Sequence, residues 1–256
     1  MQLPARLVQF GHEPDGDVPV DEALLWLAAC RPQAPGSVLA GLGHLDAIAS
    51  KVQGATTSAV CDTVFGECGF HGDHGDYHDP RNSFLDEVLA RRMGMPITLA
   101  VVAVSVARRR GIAIEPIGAP GHFLIRDPER REYRDPFAEG RVVDGAAVEA
   151  AIERLHPSQG SAAEFLQPVG PDIIVSRVLN NLQHSYAERD PRQLDWVLDV
   201  RLALPARFRG DPLTLAALCE RRGRYLQGAE VYRTLGEELH DERLLHRAAT
   251  LAARAN

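Results

Sequence analysis

Apolar residues in the first sixty positions recur at helical spacing. Asp21-Glu22-Ala23-Leu24-Leu25-Trp26-Leu27-Ala28-Ala29-Cys30 opens on two acids suited to a positive helix end and stops before Pro32, which predicts a helix. Ser37 is placed to cap a second, in which Val38, Leu39, Leu42, Leu45, Ile48 and Val52 return every three or four residues. Residues 59–65 read as a third, shorter helix before Gly66, Gly69, Gly72 and Gly75 break the pattern into a polar loop. Ser83 is then placed to cap residues 84–93, with Asp86 completing an approximate capping box and Gly94 as the stop. Pro96 sits where a first-turn proline is tolerated, and residues 97–107 run almost wholly apolar into Arg108-Arg109-Arg110. That run is too short for a bilayer and too uniform for a surface, so it predicts a central buried helix whose arginine end matches the macrodipole.

The period then changes. Residues 112–118, 122–126 and 132–135 read as strands, separated by turn chemistry at Pro120-Gly121 and Asp127-Pro128. A buried helix followed by antiparallel strands is an α+β arrangement. It places His122 at the start of one strand and Asp135 near the end of its neighbour. Residues 148–155 predict a short helix, residues 157–171 a connection holding one more turn, and five amphipathic helices follow over 172–190, 193–204, 212–221, 225–238 and 242–253. Around residues 217–232, Gly223 is placed to turn the chain and Ala229 to let two helices approach, as in a tetratricopeptide hairpin. One degenerate repeat is below the three or so that a free-standing solenoid needs, so this tail is expected to pack on the rest of the chain.

Composition narrows the function classes. A chain of 256 residues with 45% hydrophobic positions can bury roughly 70–75% of its unfolded surface and needs no disulfide staple. No signal peptide or membrane span is readable, and a cytoplasmic location is the default expectation. Cys30, Cys61, Cys68 and Cys219 form no CxxC pair and are expected to be free, mostly core thiols. The net charge of −7 is uneven: residues 171–256 carry 13 arginines against 12 acids, and residues 1–170 carry 15 basic residues against 23 acids. That balance argues against nucleic acid as a partner.

The most unusual local composition lies in the polar loop, where His71, Asp73, His74, Asp76, His78 and Asp79 fall within nine residues. Imidazole and carboxylate together suit zinc or a similar ion, but structural zinc sites recruit a second ligand pair from a distant segment and none stands out. The loop is therefore read as a solvated turn with locally bonded Asp side chains, and no metal or other cofactor is assigned.

Four blocks stand in order along the chain: Asp79-Pro80-Arg81-Asn82-Ser83-Phe84-Leu85, Arg91-Arg92-Met93-Gly94-Met95-Pro96-Ile97-Thr98-Leu99, Pro120-Gly121-His122-Phe123-Leu124-Ile125-Arg126 and Asp135-Pro136-Phe137. Together they resemble the bacterial SirB family, an invasion-regulator branch of the transglutaminase-like superfamily with a tetratricopeptide-like tail. The resemblance covers nearly the whole chain. It implies a transglutaminase-like, papain-like α+β core over residues 1–170, with a helical N-terminal part and the central helix packed on antiparallel strands. An all-α tetratricopeptide-like region would follow over residues 171–256.

The superfamily pattern is a cysteine at the start of the central helix, a histidine on one strand and an aspartate on the next. A helix N-terminus and an imidazolium favour thiolate, while the carboxylate orients the imidazole. His122 and Asp135 match the second and third members. The first departs, because the helix start reads Pro96-Ile97-Thr98. Thr98 is the nearest hydroxyl, far less acidic than a thiol, and would need direct deprotonation by His122. Asn82 and Ser83 read as a turn and helix cap bordering the same cleft, where they are candidate binding residues. Two function classes follow: a binding or regulatory module without a thiol nucleophile, or a hydrolase or acyl transferase using Thr98, His122 and Asp135 on an amide or ester. The first is the expectation taken, with a protein or peptide partner, no nucleic acid and no membrane; the sequence sets no oligomeric state.

Overall fold

A computed structural model describes residues 2–32, 37–119, 121–155, 162–208 and 210–255. Pro120 of the expected turn and part of the 157–171 connection lie outside the described residues. The N-terminal part is helical: α1 (Ala5–His12), α2 (Val20–Ala29), α3 (Val38–Lys51) and α4 (Thr57–Cys61), the last running into a π-helical turn over Asp62–Glu67. Ser37 caps α3 as expected, accepting from the Ala40 N–H at 3.2 Å. Strand β1 (His71–Gly72), helix α5 (Leu85–Arg91) and strand β2 (Met93–Gly94) then lead into the long helix α6 (Pro96–Arg109).

The expected start of α5 is corrected. Phe84, in extended conformation, stands at its N-cap, and Ser83 makes no cap because its hydroxyl lies 3.2 Å from Met95 Sδ. The helix also stops before Gly94, at Arg92, whose φ of 59° closes it in the left-handed conformation.

Helix α6 is the centre of the fold, with every residue from Ile97 to Ala103 buried. Its arginine end does more than match the dipole. Arg109 pairs with Asp21 of α2 at 2.7 Å and Asp46 of α3 at 2.6 Å, so the cation that ends the helix also ties it to two neighbours. Against α6 packs an antiparallel meander of β3 (Glu115–Ile117), β4 (Leu124–Asp127), β5 (Glu132–Asp135) and β6 (Arg141–Val143), in that order. Alternation works as strand geometry requires: Phe123 and Ile125 join the main core with α6, whereas Leu124 and Ile117 pack on the other face with Ile152 of α7 (Gly145–Leu155). A short α8 (Ala162–Phe165) follows.

The tail comprises α9 (Pro171–Arg189), α10 (Leu194–Ala203), α11 (Pro212–Arg221), α12 (Tyr225–Leu239) and α13 (Glu242–Arg254). Gly223 turns α11 into α12 at φ +70°, as its position implied. Residue 170 immediately precedes α9, but apolar packing crosses it: Ile174, Val178 and Leu182 of α9 and Trp196 and Val200 of α10 belong to the main core. Helices α11–α13 build a second core with Leu198 around Leu215, Cys219, Val231 and Leu251. Arg189 of α9 pairs with Asp76 at 2.7 Å, and Arg207 donates to the Gly11 carbonyl at 2.6 Å, so polar contacts fasten the tail at two further points. Among the described residues no helix is long and apolar enough to cross a membrane.

Candidate functional site

The segment before α5 is organised by Asn82, which is fully buried. Asp79 starts a 3-10 turn over Pro80–Ser83 by accepting from the Arg81 N–H at 2.9 Å, and this turn delivers the Asn82 amide inward. Its Nδ2 donates to Asp73 Oδ2 at 3.0 Å and to the Asp76 carbonyl at 2.8 Å, while Oδ1 accepts from Arg91 at 3.1 Å. Asp73 Oδ1 accepts the N–H groups of Gly75 and Asp76 at 3.1 and 2.9 Å. Burial alone would push the Asp73 carboxyl up. The Asp76 N–H, the Asn82 amide, the Gly75 N–H and Arg91 outweigh it and hold the group below the usual carboxylate range.

The histidine-rich loop is thus a folded element built on Asp73, and its imidazoles point to different neighbours. His74 meets Phe137 edge-on with centroids 4.6 Å apart, and His78 lies 5.6 Å from His184 of α9. Among the described residues no group of three or more His, Cys, Asp or Glu side chains is arranged to hold a metal ion.

Thr98 is fully buried at the third position of α6. Its hydroxyl donates to the Asn82 carbonyl at 2.7 Å, with the Met95 carbonyl at 3.1 Å, and accepts from the Met95 N–H at 3.1 Å. That arrangement closes the helix start onto the Asn82 turn. Gly94 is needed beside it, since an added Cβ would stand 2.8 Å from Thr98 Oγ1 and 3.0 Å from Val88. Its register partner Gly72 is held equally tightly, 2.5 Å from the Phe137 ring by the same construction.

His122 is exposed and precedes β4 by two residues, its N–H donating to the Ala119 carbonyl at 3.2 Å. Asp135 ends β5 with Oδ1 accepting from the Phe137 and Ala138 N–H groups at 2.8 and 3.3 Å. Both residues line one apolar pocket of about 210 Å³ closed by Val148 and Ile152 of α7, and no hydrogen bond or ion pair joins them. His122 also faces the other way, into a cavity of about 200 Å³ at the start of α6 walled by Tyr77, Pro96, Ile97, Arg177 and Asn181. Thr98 does not line that cavity. The structure therefore brings His122 and Asp135 to one pocket, places His122 at the mouth of a second, and keeps Thr98, Asn82 and Ser83 in the interior behind it.

The thiols are equally remote from this chemistry. Burial pushes Cys61 and Cys30 up to about 11, and raises Cys219 as well. Thiols of that kind behave as small core hydrophobes.

Arg177, Asn181 and Tyr77 are cleft residues that the sequence reading did not single out. Arg177 crosses from α9, donating to the Ala119 carbonyl at 3.3 Å with its guanidinium 5.2 Å from the Phe123 ring centroid. Burial lowers its pKa. One signal was present: Arg177 interrupts an α9 face that otherwise carries Ile173, Ile174 and Val178.

Comparison with known proteins adds ancestry to this geometry. A family model described as the transglutaminase-like superfamily matches residues 40–180. A UPF0162 protein of Xylella fastidiosa is 37% identical over 190 residues, covering 66% of this chain and 66% of that protein's length. UPF0162 protein PA3419 of Pseudomonas aeruginosa is 31% identical over 173 residues, covering 65% of this chain and 64% of that protein. F-box only protein 21 of mouse is 33% identical over 142 residues, which is 52% of this chain but 22% of the mouse protein. No solved structure matches.

Proposed function

This chain belongs to the transglutaminase-like superfamily, and we propose that within it the protein is a SirB-type binding or regulatory module that has no cysteine nucleophile and uses the residual cleft and the helical tail. The observation that carries the reading is the commitment of the Thr98 hydroxyl, whose proton goes to the Asn82 carbonyl at 2.7 Å. A nucleophilic hydroxyl must instead hand its proton to a base while facing substrate. Supporting it, the residues at the helix start are Met95, Pro96 and Ile97, none of which can attack a carbonyl. The likeness to F-box only protein 21 points the same way, since there the similar stretch forms part of a much longer chain, as a module would. The module is proposed to act in the cytoplasm on a protein or peptide partner, without nucleic acid or membrane.

A second reading, acyl transfer by Thr98, His122 and Asp135, draws on one observation: His122 and Asp135 line a common pocket. It requires the Thr98 side chain to leave the Asn82 turn and His122 to turn inward. Profiling with hydroxyl- and thiol-reactive acyl probes separates the two. The binding reading expects no labelling of the native protein, and labelling that disappears in both Thr98→Ala and His122→Ala refutes it.

A further inference from the structure

The cavity at the start of α6 does not end there. It shares Tyr77, Met95 and Asn181 with a larger hollow of about 480 Å³ that continues between the 77–78 loop and helices α9 and α11. The charge of this joined groove is opposite to that of the protein. The whole chain carries a formal net charge of −7, yet among the described residues no Asp or Glu lines either hollow, whereas the cations Arg177 and Arg221 do, beside the imidazoles of His78, His122 and His184. Nearby acids are already taken: Asp76 faces Arg189, Asp79 faces Arg81 and Glu188 faces His184. Arg177 is half-buried, and among the described residues no carboxylate pairs with it. A sheltered guanidinium without a counter-ion is costly to keep, and an anion seated on it recovers both the charge pairing and a bidentate hydrogen bond.

The rest of the wall says what carries that anion. On α9 the groove presents the amides of Asn181 and Gln183 beside Ser185, together with Nδ2 of Asn180, whose Oδ1 already accepts from Arg201. Side-chain amides offer one acceptor and two donors each, the same complement that a peptide backbone seeks, and the floor contributes Met95 and Leu218 for apolar side chains. We infer that this groove binds an acidic peptide segment in extended form, with one of its carboxylates on Arg177 and its backbone along the α9 amides. The inference rests on the binding reading above and specifies its ligand.

The test exposes the full chain to an array of decapeptides of randomised sequence, followed by fluorescence anisotropy with the best binder. Bound peptides should be enriched in Asp and Glu. Affinity should fall by about tenfold or more in Arg177→Gln or when the peptide's carboxylates become amides, and should be partly kept in Arg177→Lys. Where circular dichroism shows Arg177→Gln unfolded, Arg221→Gln and the loss of affinity with rising salt decide in its place. A neutral or basic consensus, an affinity indifferent to these changes, or no retained peptide overturns the inference. So does full displacement of the peptide by inorganic phosphate or by an oligothymidine, which would mark a small-anion or nucleic-acid site. A neutral consensus sinks the acidic ligand and spares the binding reading, whereas acyl-probe labelling lost in Thr98→Ala and His122→Ala sinks the binding reading itself.

Discussion

Replacing Thr98 by valine removes one oxygen and keeps the shape, which makes it the sharpest probe of what that hydroxyl does. In the native protein the oxygen donates to the Asn82 carbonyl and accepts from the Met95 N–H, both in the interior. Each neutral hydrogen bond contributes about 0.5–1.5 kcal/mol net, and a fully orphaned buried group costs more. Full orphaning is softened here, because the Met95 N–H and Asn82 carbonyl also lie 3.3 Å from each other. The expected cost of Thr98→Val is therefore about 2 kcal/mol, or a fall of roughly 4–8 °C in Tm for a chain of this size. Thr98→Ser keeps both hydrogen bonds and loses one methyl, worth about 0.8 kcal/mol. Urea unfolding followed by circular dichroism would rank the three proteins. A valine variant within about 0.5 kcal/mol of the parent, or a serine variant as weak as the valine one, would refute the assignment of Thr98 to the helix start.

Three further outcomes are expected. Asp73, Asp79 and Asp127 are all held below their ordinary values against the opposing effect of burial; their contribution is complete above the unfolded carboxylate value of about 3.9 and is lost as pH falls through the folded values. Urea midpoints should thus drop steeply below about pH 4, and Asp73→Asn should flatten that acid limb; an unchanged limb would count against the Asp73 network. With Cys30 and Cys61 pushed up to about 11, only about one thiol in a thousand is ionised at pH 8, so Ellman's reagent should react with them only on unfolding, and rapid labelling of Cys61 in the native protein would contradict its burial. His122→Ala should leave the unfolding free energy unchanged within about 0.5 kcal/mol, since the side chain is exposed, and a loss several times larger would reveal a structural partner.

Long patterns were legible and local accommodations were not. Helix α6 follows from an unbroken apolar run bounded by Pro96 and the arginines, and α9–α13 from spacing, because burial of a whole face leaves a periodic trace. Helix α1 left only a two-turn trace in Leu3, Leu7 and Phe10, and its Gly11 is buried because Leu204 and Pro205 of the tail press on it, a contact nearly two hundred residues away. Strands β1, β2 and β6 have two or three residues each, too few for alternation to show. In the site, the absence of a cysteine beside Pro96 was plain in the chain, whereas His122 and Asp135, matched there to a histidine and an aspartate of adjacent strands, line one pocket without a hydrogen bond between them. That Asn82 is the hub joining Asp73, Arg91 and Thr98 was not, because those partners are 9, 9 and 16 positions away and meet only through a 3-10 turn.

The groove has walls of separate origin: Pro96 and Ile97 come from the central helix and His122 from the loop before β4, while Arg177 and Asn181 come from α9. A ligand that spans both sides therefore acts as a clasp between them. By thermodynamic reciprocity, whatever it gains from an α9 already in place, α9 gains in residence on the core when the ligand arrives. Hydrogen exchange along α9–α10 should then slow on binding, and a change at the far side of the tail, such as at the Arg207 contact with Gly11, becomes a remote control on affinity without touching the groove.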